Sequence, residues 1–332
     1  MASAHAMKTA LRPPLIGRAL WRMRPIVAGR LALMRIARTS IGDEIRAVAL
    51  RLKRARVAFG HGTDNPWDEA AALVLHGAGL PLNSDARVYG RPVPARARVR
   101  ISRLVERRVR QRIPAPYLIG RTYFAGLEFR TDRRALIPRS PIAELIETRF
   151  HPWVKASRVR RILDIGTGCG CIAIACARYF PRARVVATDL SPAALALARD
   201  NARRLRVRSR VRFCRADLFP PPSSGQFDLI VSNPPYVGTR EYATLPREYR
   251  HEPSNALLSG RDGLEAVRRI LGRARTFLTR GGILIVEVGN SAAALERAFP
   301  RVPFLWLTFN RGGGGVFVLP RTELVRHAAD FS

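Results

Sequence analysis

Asn233-Pro234-Pro235-Tyr236 follows the apolar run Phe227-Asp228-Leu229-Ile230-Val231-Ser232 without a break. Two consecutive prolines donate no backbone hydrogen bonds and cannot continue a central strand, so the chain must leave the sheet there. In open α/β sheets the carboxyl edge of a strand is where ligands bind. The Asn233 side-chain oxygen and the Pro234 carbonyl can each accept one N–H of a planar amino group, which fixes and polarises its nitrogen. The Tyr236 ring offers a flat face to pack on such a group and a hydrocarbon wall against water. Such a nitrogen is a poor nucleophile because its lone pair is delocalised, so the chemistry these residues suit is group transfer driven by orientation, with no strong general base. Orientation can contribute about 7 to 11 kcal/mol when reacting atoms are held roughly 3 to 3.5 Å apart.

A second constellation lies upstream. Leu163-Asp164-Ile165-Gly166-Thr167-Gly168-Cys169-Gly170 runs from a strand into a helix, and its glycines let the backbone turn tightly and approach a ligand with no Cβ in the way. A dinucleotide site needs G-x-G-x-x-G, but Cys171 stands at the third glycine position, so Gly166, Gly168 and Gly170 read as G-x-G-x-G, with Thr167 and Cys169 between them. Asp189 ends the next strand, where a carboxylate can accept both hydroxyls of a ribose. The competing reading is a helix N-cap in Asp189-Leu190-Ser191-Pro192. Asp217, after the third strand, is placed to accept from an adenine amine with Leu218 packed near the ring; the alternative is a plain surface aspartate.

The elements that must position these residues alternate from Arg158 onward. Strands are expected at 159–165, 185–188, 211–214, 227–232, 283–288, 304–309 and 316–319, with helices at 171–179, 192–204, 264–278 and 292–299. This alternation predicts an α/β domain over 141–332 with a doubly wound, mostly parallel sheet. Only Asn310–Gly315 joins the last two strands, too short for a crossover helix, so they should pair antiparallel. Residues 41–113 carry apolar side chains at helical spacing, among them Ile45, Val48, Ala49 and Leu52, and read as a helical domain. Asp64, Asn65 and Pro66 supply helix-start signals before Trp67-Asp68-Glu69. Pro114 and Pro116 break the helical pattern, and 114–140 reads as a β-hairpin linker with turns at Gly120 and Gly126.

With these residues in place, the chain from about residue 41 to its end resembles the HemK-type protein glutamine methyltransferases. Gly60-His61-Gly62-Thr63-Asp64-Asn65, Trp67-Asp68-Glu69-Ala70 and Ile137-Pro138-Arg139-Ser140-Pro141-Ile142-Ala143-Glu144-Leu145-Ile146 look like the branch that modifies the third protein of the large ribosomal subunit. The sister branch, acting on release factors, typically has a Pro-Glu-Thr-Glu-like stretch where Ser140-Pro141-Ile142-Ala143 stands. Tyr249-Arg250-His251-Glu252-Pro253 with Ala256-Leu257 resembles the family's loop after the active site. The resemblance implies a class I methyltransferase fold, a Rossmann-like seven-stranded sheet with one antiparallel strand, and S-adenosyl-L-methionine as cofactor. It puts cofactor contacts on Gly166–Gly170, Asp189, Leu218 and Asn233, and substrate contacts on Asn233–Tyr236. One departure is the final turn, Arg311-Gly312-Gly313-Gly314-Gly315, where the family usually reads Arg-Gly-Gly-Asp-Gly. Rival readings are an adenine-specific DNA or RNA methyltransferase, whose target is also a planar conjugated amine, and a noncatalytic RNA-binding assembly factor.

Lys and Arg number 58 against 25 Asp and Glu, a formal net charge of +33. That excess fits an acidic partner such as ribosomal RNA or an assembly intermediate. Only Lys8, Lys53 and Lys155 are lysine, and genomic base composition alone could produce such an arginine skew. Residues 1–40 form a basic extension without an acidic residue, read either as a disordered arm for RNA or as the product of a start placed ahead of Met34. Its arginines interrupt any signal-peptide core, and no apolar run approaches the roughly 20 residues of a membrane helix. Cys169, Cys171, Cys176 and Cys214 lack metal or disulfide spacing and read as buried thiols in a reducing cytoplasm.

Overall fold

The computed structural model describes residues 39–331, so the basic extension expected at 1–40 lies outside the described residues except for Thr39 and Ser40. Helix α1 (Ile41–Arg54) starts in a capping box: the Ser40 hydroxyl accepts the Asp43 amide at 3.1 Å, and the Asp43 carboxylate accepts the Ser40 amide at 3.3 Å. Helix α2 (Pro66–Ala78) begins as the sequence signals imply, with the Asn65 side chain accepting the Asp68 amide at 2.9 Å and Pro66 in the first turn. Helix α3 (Ala95–Gln111) crosses α2 where Gly77 leaves room; a Cβ there would lie 2.5 Å from Ile101. Ile45, Leu52, Leu73, Val74, Ala97 and Ile101 bury the apolar stripes of these three helices in one core.

Pro114 and Pro116 do more than end the helical pattern. They flank the start of a short helix, α4 (Ala115–Ile119), where a proline's missing N–H would be unpaired in any case, and left-handed Gly120 closes it. The expected hairpin follows as β1 (Arg121–Phe124) and β2 (Leu127–Arg130), turning on Ala125 and Gly126 at φ of 46° and 71°. Positive φ at both central residues is the turn whose twist matches the flanking strands.

Beyond α5 (Ile142–Glu147) the chain alternates β3 (Arg161–Ile165), α6 (Cys171–Tyr179), β4 (Arg184–Asp189), α7 (Pro192–Arg204), β5 (Val211–Arg215) and β6 (Phe227–Ser232). After α8 (Thr239–Thr244) come α9 (Glu265–Phe277), β7 (Leu278–Glu287), α10 (Ala292–Ala298), β8 (Leu305–Trp306), β9 (Val316–Pro320) and α11 (Arg321–Arg326). The seven strands lie in the order β5-β4-β3-β6-β7-β9-β8, and β9 runs antiparallel to both neighbours. The sheet is therefore the one the pattern predicts. Helices α5, α6 and α7 cover one face and α9, α10 and α11 the other, so β3 sends Ile162 into one core and Leu163 and Ile165 into the other.

Two strands differ from expectation by more than two residues. β7 begins at Leu278 rather than Ile283, because Leu278 pairs with Phe227 across a register irregularity. Gly282 permits this, since a Cβ there would meet the Phe227 carbonyl at 2.9 Å. β8 keeps only Leu305 and Trp306 of the expected 304–309 run.

The strand order reverses between β3 and β6, and this switch point opens a crevice at their carboxyl ends. Among the described residues, no helix is long and apolar enough to cross a membrane.

Candidate active site

The glycine loop leaves β3 and Asn233 leaves β6, and β3 and β6 are hydrogen-bonded neighbours with Ile165 opposite Ser232. The two constellations are thereby brought together: a Cβ on Gly166 would lie 3.8 Å from the Asn233 carbonyl oxygen and 3.9 Å from the Pro234 Cα. Gly166, Gly168 and Gly170 have φ of 73°, 55° and 86°, a region that side-chain-bearing residues rarely adopt. At Gly170 a Cβ would also come within 2.9 Å of Ile174 and 3.0 Å of Ala198, so the start of α6 sits hard against α7.

A cavity of about 250 Å³ opens along this edge. Gly166, Thr167, Gly168, Cys169, Asp189, Asp217, Leu218, Asn233 and Pro235 all line it, with the linker residues Arg134–Ser140 on one side and Pro253–Ser259 on another. Gly170 stands behind the loop and does not line the cavity. Pro234 is buried under it. Tyr236 points away from the lining, with its ring against Gly289 and its hydroxyl donating to Glu287 at 3.2 Å.

Asp189 is not the helix cap. Ser191 fills that role, its hydroxyl accepting the Ala194 amide at 3.2 Å, while the Asp189 carboxylate accepts the amides of Gly168 and Ser191, each at 2.8 Å. Burial pushes the Asp189 carboxyl up, against the pull of those two amides. Asp217 is about half exposed and pairs with Arg269 at 2.6 Å at the cavity rim. Leu218 lies in the left-handed region at φ of 65°, its carbonyl accepting the Thr188 hydroxyl at 2.6 Å. A non-glycine residue held in that conformation marks a backbone whose path is set by its surroundings.

Several residues at the site carried weaker signals in the sequence. Asp164, inside the glycine motif, is fully buried; it accepts the Thr167 hydroxyl at 2.6 Å and the Ala173 amide at 3.0 Å, tying the loop to the first turn of α6. Burial raises its carboxyl to about 7. Glu287 was hidden as a single acid at the end of an apolar strand. Its oxygens accept from Tyr236 and Ser140, and burial lifts its carboxyl to about 7.

The segment after the prolines returns to the cleft and is fixed there by buried charge. Arg139 donates both terminal nitrogens to Glu252 at 2.7 and 2.8 Å, the Ile137 amide adds a third bond at 3.0 Å, and His61 stands 3.5 Å away. Burial works against the Glu252 charge, but His61 and Arg139 outweigh it and hold the carboxyl down to about 2. A second knot joins this segment to the N-terminal helices. Arg108, fully buried, donates to Glu69 at 2.6 Å, to Glu248 at 3.0 Å and to the Ala58 carbonyl at 2.6 Å.

This arrangement places a cavity edged by the Asp189 and Asp217 carboxylates beside Asn233 and Pro235. Among known proteins, the Methyltransferase small domain model matches residues 150–248. A ribosomal protein uL3 glutamine methyltransferase of Xanthomonas campestris is 46% identical over 291 residues, covering 87% of this chain and 94% of that protein. The protein of the same name from Francisella tularensis is 42% identical over 88% of this chain and 93% of its own length. That from Bordetella pertussis is 42% identical over 86% and 96%.

Proposed function

Because the chain belongs to the ribosomal protein uL3 glutamine methyltransferase family, we propose that it methylates the side-chain amide nitrogen of a glutamine in ribosomal protein uL3. Its sheet is the class I methyltransferase fold, and S-adenosyl-L-methionine is the cofactor. When bound, that cofactor supplies an electrophilic methyl group on a sulfonium that is already a good leaving group.

The residues present fit it. Glycines at positive φ let the Gly166–Gly170 backbone close on the methionine part, with Thr167 and Cys169 in the same loop. The Asp189 carboxylate takes the ribose hydroxyls, Asp217 takes the adenine amine, and Leu218 packs near the ring. The observation that carries the reading is the close approach of the glycine loop to the Asn233-Pro234 backbone at the switch point.

In this reading Asn233 and Pro234 each accept one N–H of the glutamine amide and hold its nitrogen toward the methyl group. Pro235 walls the cavity, and Tyr236, its ring against Gly289 and its hydroxyl on Glu287, stiffens the turn rather than packing on the amide. The chain's contribution is orientation and polarisation of the amide, and the product proton leaves to solvent after transfer. We assign residues 41–113 to gripping the protein substrate, 114–140 to the linker and 141–332 to methyl transfer, all in the cytoplasm.

The test is methyl transfer from labelled cofactor to purified uL3 that has not been methylated, followed by mass spectrometry of the product. Label on a glutamine of uL3 is the expected result. Label on release factors or nucleic acid, with uL3 unlabelled, overturns the substrate assignment.

A further inference from the structure

Helix α3 carries charge that the cleft does not use. Seven of its 17 residues are arginine, at 96, 98, 100, 103, 107, 108 and 110. The chain holds 58 basic residues in 332, which spread evenly would give about three in 17 positions, so general bias does not account for the helix. Arg108 is engaged in the buried knot with Glu69 and Glu248. Arg96, Arg100, Arg103, Arg107 and Arg110 are all exposed, and their alternating spacing of four and three residues puts them in one row along the helix. At 1.5 Å per residue, the row is about 21 Å long.

Little in the protein neutralises it. Glu106 is the helix's lone acid, and it pairs with Arg110 at 2.8 Å and Arg51 at 3.6 Å. Arg100 donates to the Gly77 carbonyl at 2.8 Å. Arg96, Arg103 and Arg107 have no carboxylate within ion-pair distance among the described residues. The row also works against its own helix. Like charges three and four residues apart repel, and the first turn of α3 has no acid and carries Arg96 at the positive end of the helix dipole. A pattern that weakens the isolated helix is relieved by an external polyanion.

We propose that this row on α3 binds the phosphate backbone of RNA. Guanidinium groups match phosphate oxygens in two-point hydrogen bonds, and a row of this length can follow several successive phosphates. That the polyanion is RNA rests on the reading of uL3 as substrate, since a ribosomal protein is met beside ribosomal RNA. The row lies on the same helix whose buried Arg108 holds Glu248 of the segment after the prolines.

The test uses the full chain and a fluorescein-labelled 20-base-pair RNA hairpin, with affinity measured by anisotropy across a salt series. The triple variant Arg96→Glu/Arg103→Glu/Arg107→Glu is compared with a control, Arg182→Glu/Arg184→Glu/Arg208→Glu, that reverses as many exposed charges elsewhere. Loss of three phosphate contacts lowers the slope of log affinity against log salt by about 2 to 3. The α3 variant is expected to bind the hairpin at least tenfold more weakly than the control at 0.15 M salt. Its melting midpoint should be no lower than that of the parent, because the substitutions relieve the like-charge repulsion along α3. Equal weakening by both triples would reduce the row to general charge and overturn the proposal, as would binding to phosphatidylserine vesicles in preference to the hairpin. Absent methyl transfer by the parent chain, with the α3 effect intact, would strike the function reading and leave the polyanion surface standing.

Discussion

Replacing Glu287 with glutamine should stabilise the protein at alkaline pH and leave it unchanged in acid. The carboxyl is almost fully buried at the end of β7, and burial raises it from the ordinary 4.5 to about 7. A carboxyl raised on folding is fully tolerated below pH 4.5, where it is protonated in both the folded and unfolded chain. Between pH 4.5 and 7 the unfolded chain ionises and the folded one does not, so stability falls as pH rises, and the loss is complete above 7. At about 1.4 kcal/mol per pH unit, the full loss is about 3 kcal/mol. Glutamine imitates the protonated acid, with one acceptor for the Tyr236 hydroxyl and one donor for Ser140. At about 2 °C per kcal/mol for a chain of this size, the variant should melt about 6 °C above the parent at pH 8.5, with the difference closing by pH 4.5. Melting curves at five pH values decide the matter. A difference that stays constant with pH, or a glutamine variant that is less stable at pH 8.5, refutes the argument that Glu287 is protonated in the folded protein near neutrality.

Asn233→Ala should lower turnover by about 100-fold or more, the scale of removing one well-placed hydrogen-bonding group, with the circular dichroism spectrum unchanged. Near-normal turnover rules out the amide-orienting role. Asp189→Ala should weaken S-adenosyl-L-methionine by about 1.5 to 3 kcal/mol in calorimetry, because it removes a charged acceptor and also frees the Gly168 and Ser191 amides that shape the loop. Unchanged affinity would return Asp189 to a purely structural part. Arg108→Met should cost about 3 to 5 kcal/mol, since Glu69 and Glu248 would stay buried without their cation, and the loss should shrink in acid, where Glu69, already raised by burial, takes up a proton. A chemical-denaturation series at pH 5 and 8 checks both the size and the direction.

The parts legible in sequence share a physical property: each states its constraint within one short segment. Pro234-Pro235 forbids strand continuation locally, and three glycines at alternate positions announce a loop of positive φ. The apolar run ahead of the prolines marked β6 at its true ends, Phe227 and Ser232. Elements that depend on distant partners were not readable in the same way. Leu278 joins β7 only because Phe227 lies opposite and Gly282 lets the strands close, and nothing near Leu278 says so. Glu252 is 113 residues from Arg139, and Glu248 is 140 from Arg108, so a local pattern shows four isolated charges rather than two buried pairs. The ambiguity over Asp189 was of the same kind, because a cap and a ligand contact look alike in sequence. Ser191 removes the cap reading by occupying the cap itself.

The buried charges explain how the cavity wall after the prolines is kept in place. Asn233 and Pro234 can align an amide only if the turn carrying them does not drift, and proline rigidity fixes that turn just at its start. Downstream, the chain runs from Val237 through α8 before it returns to the cavity wall at Pro253–Ser259. Apolar packing alone would hold this return, yet it is tolerant of sliding, whereas a two-point guanidinium–carboxylate pair has one geometry. The two-point pair Arg139–Glu252 pins it to the linker, and a single bond from Arg108, whose other nitrogens hold Glu69 and the Ala58 carbonyl, ties Glu248 to α3. Burying such pairs carries a desolvation cost that a hydrophobic contact avoids, so their presence is poor evidence of added stability. What they fix is position. A protein substrate gripped by the N-terminal helices would therefore press on elements already keyed to the transfer site, with its glutamine delivered to a wall that the same ion pairs hold still.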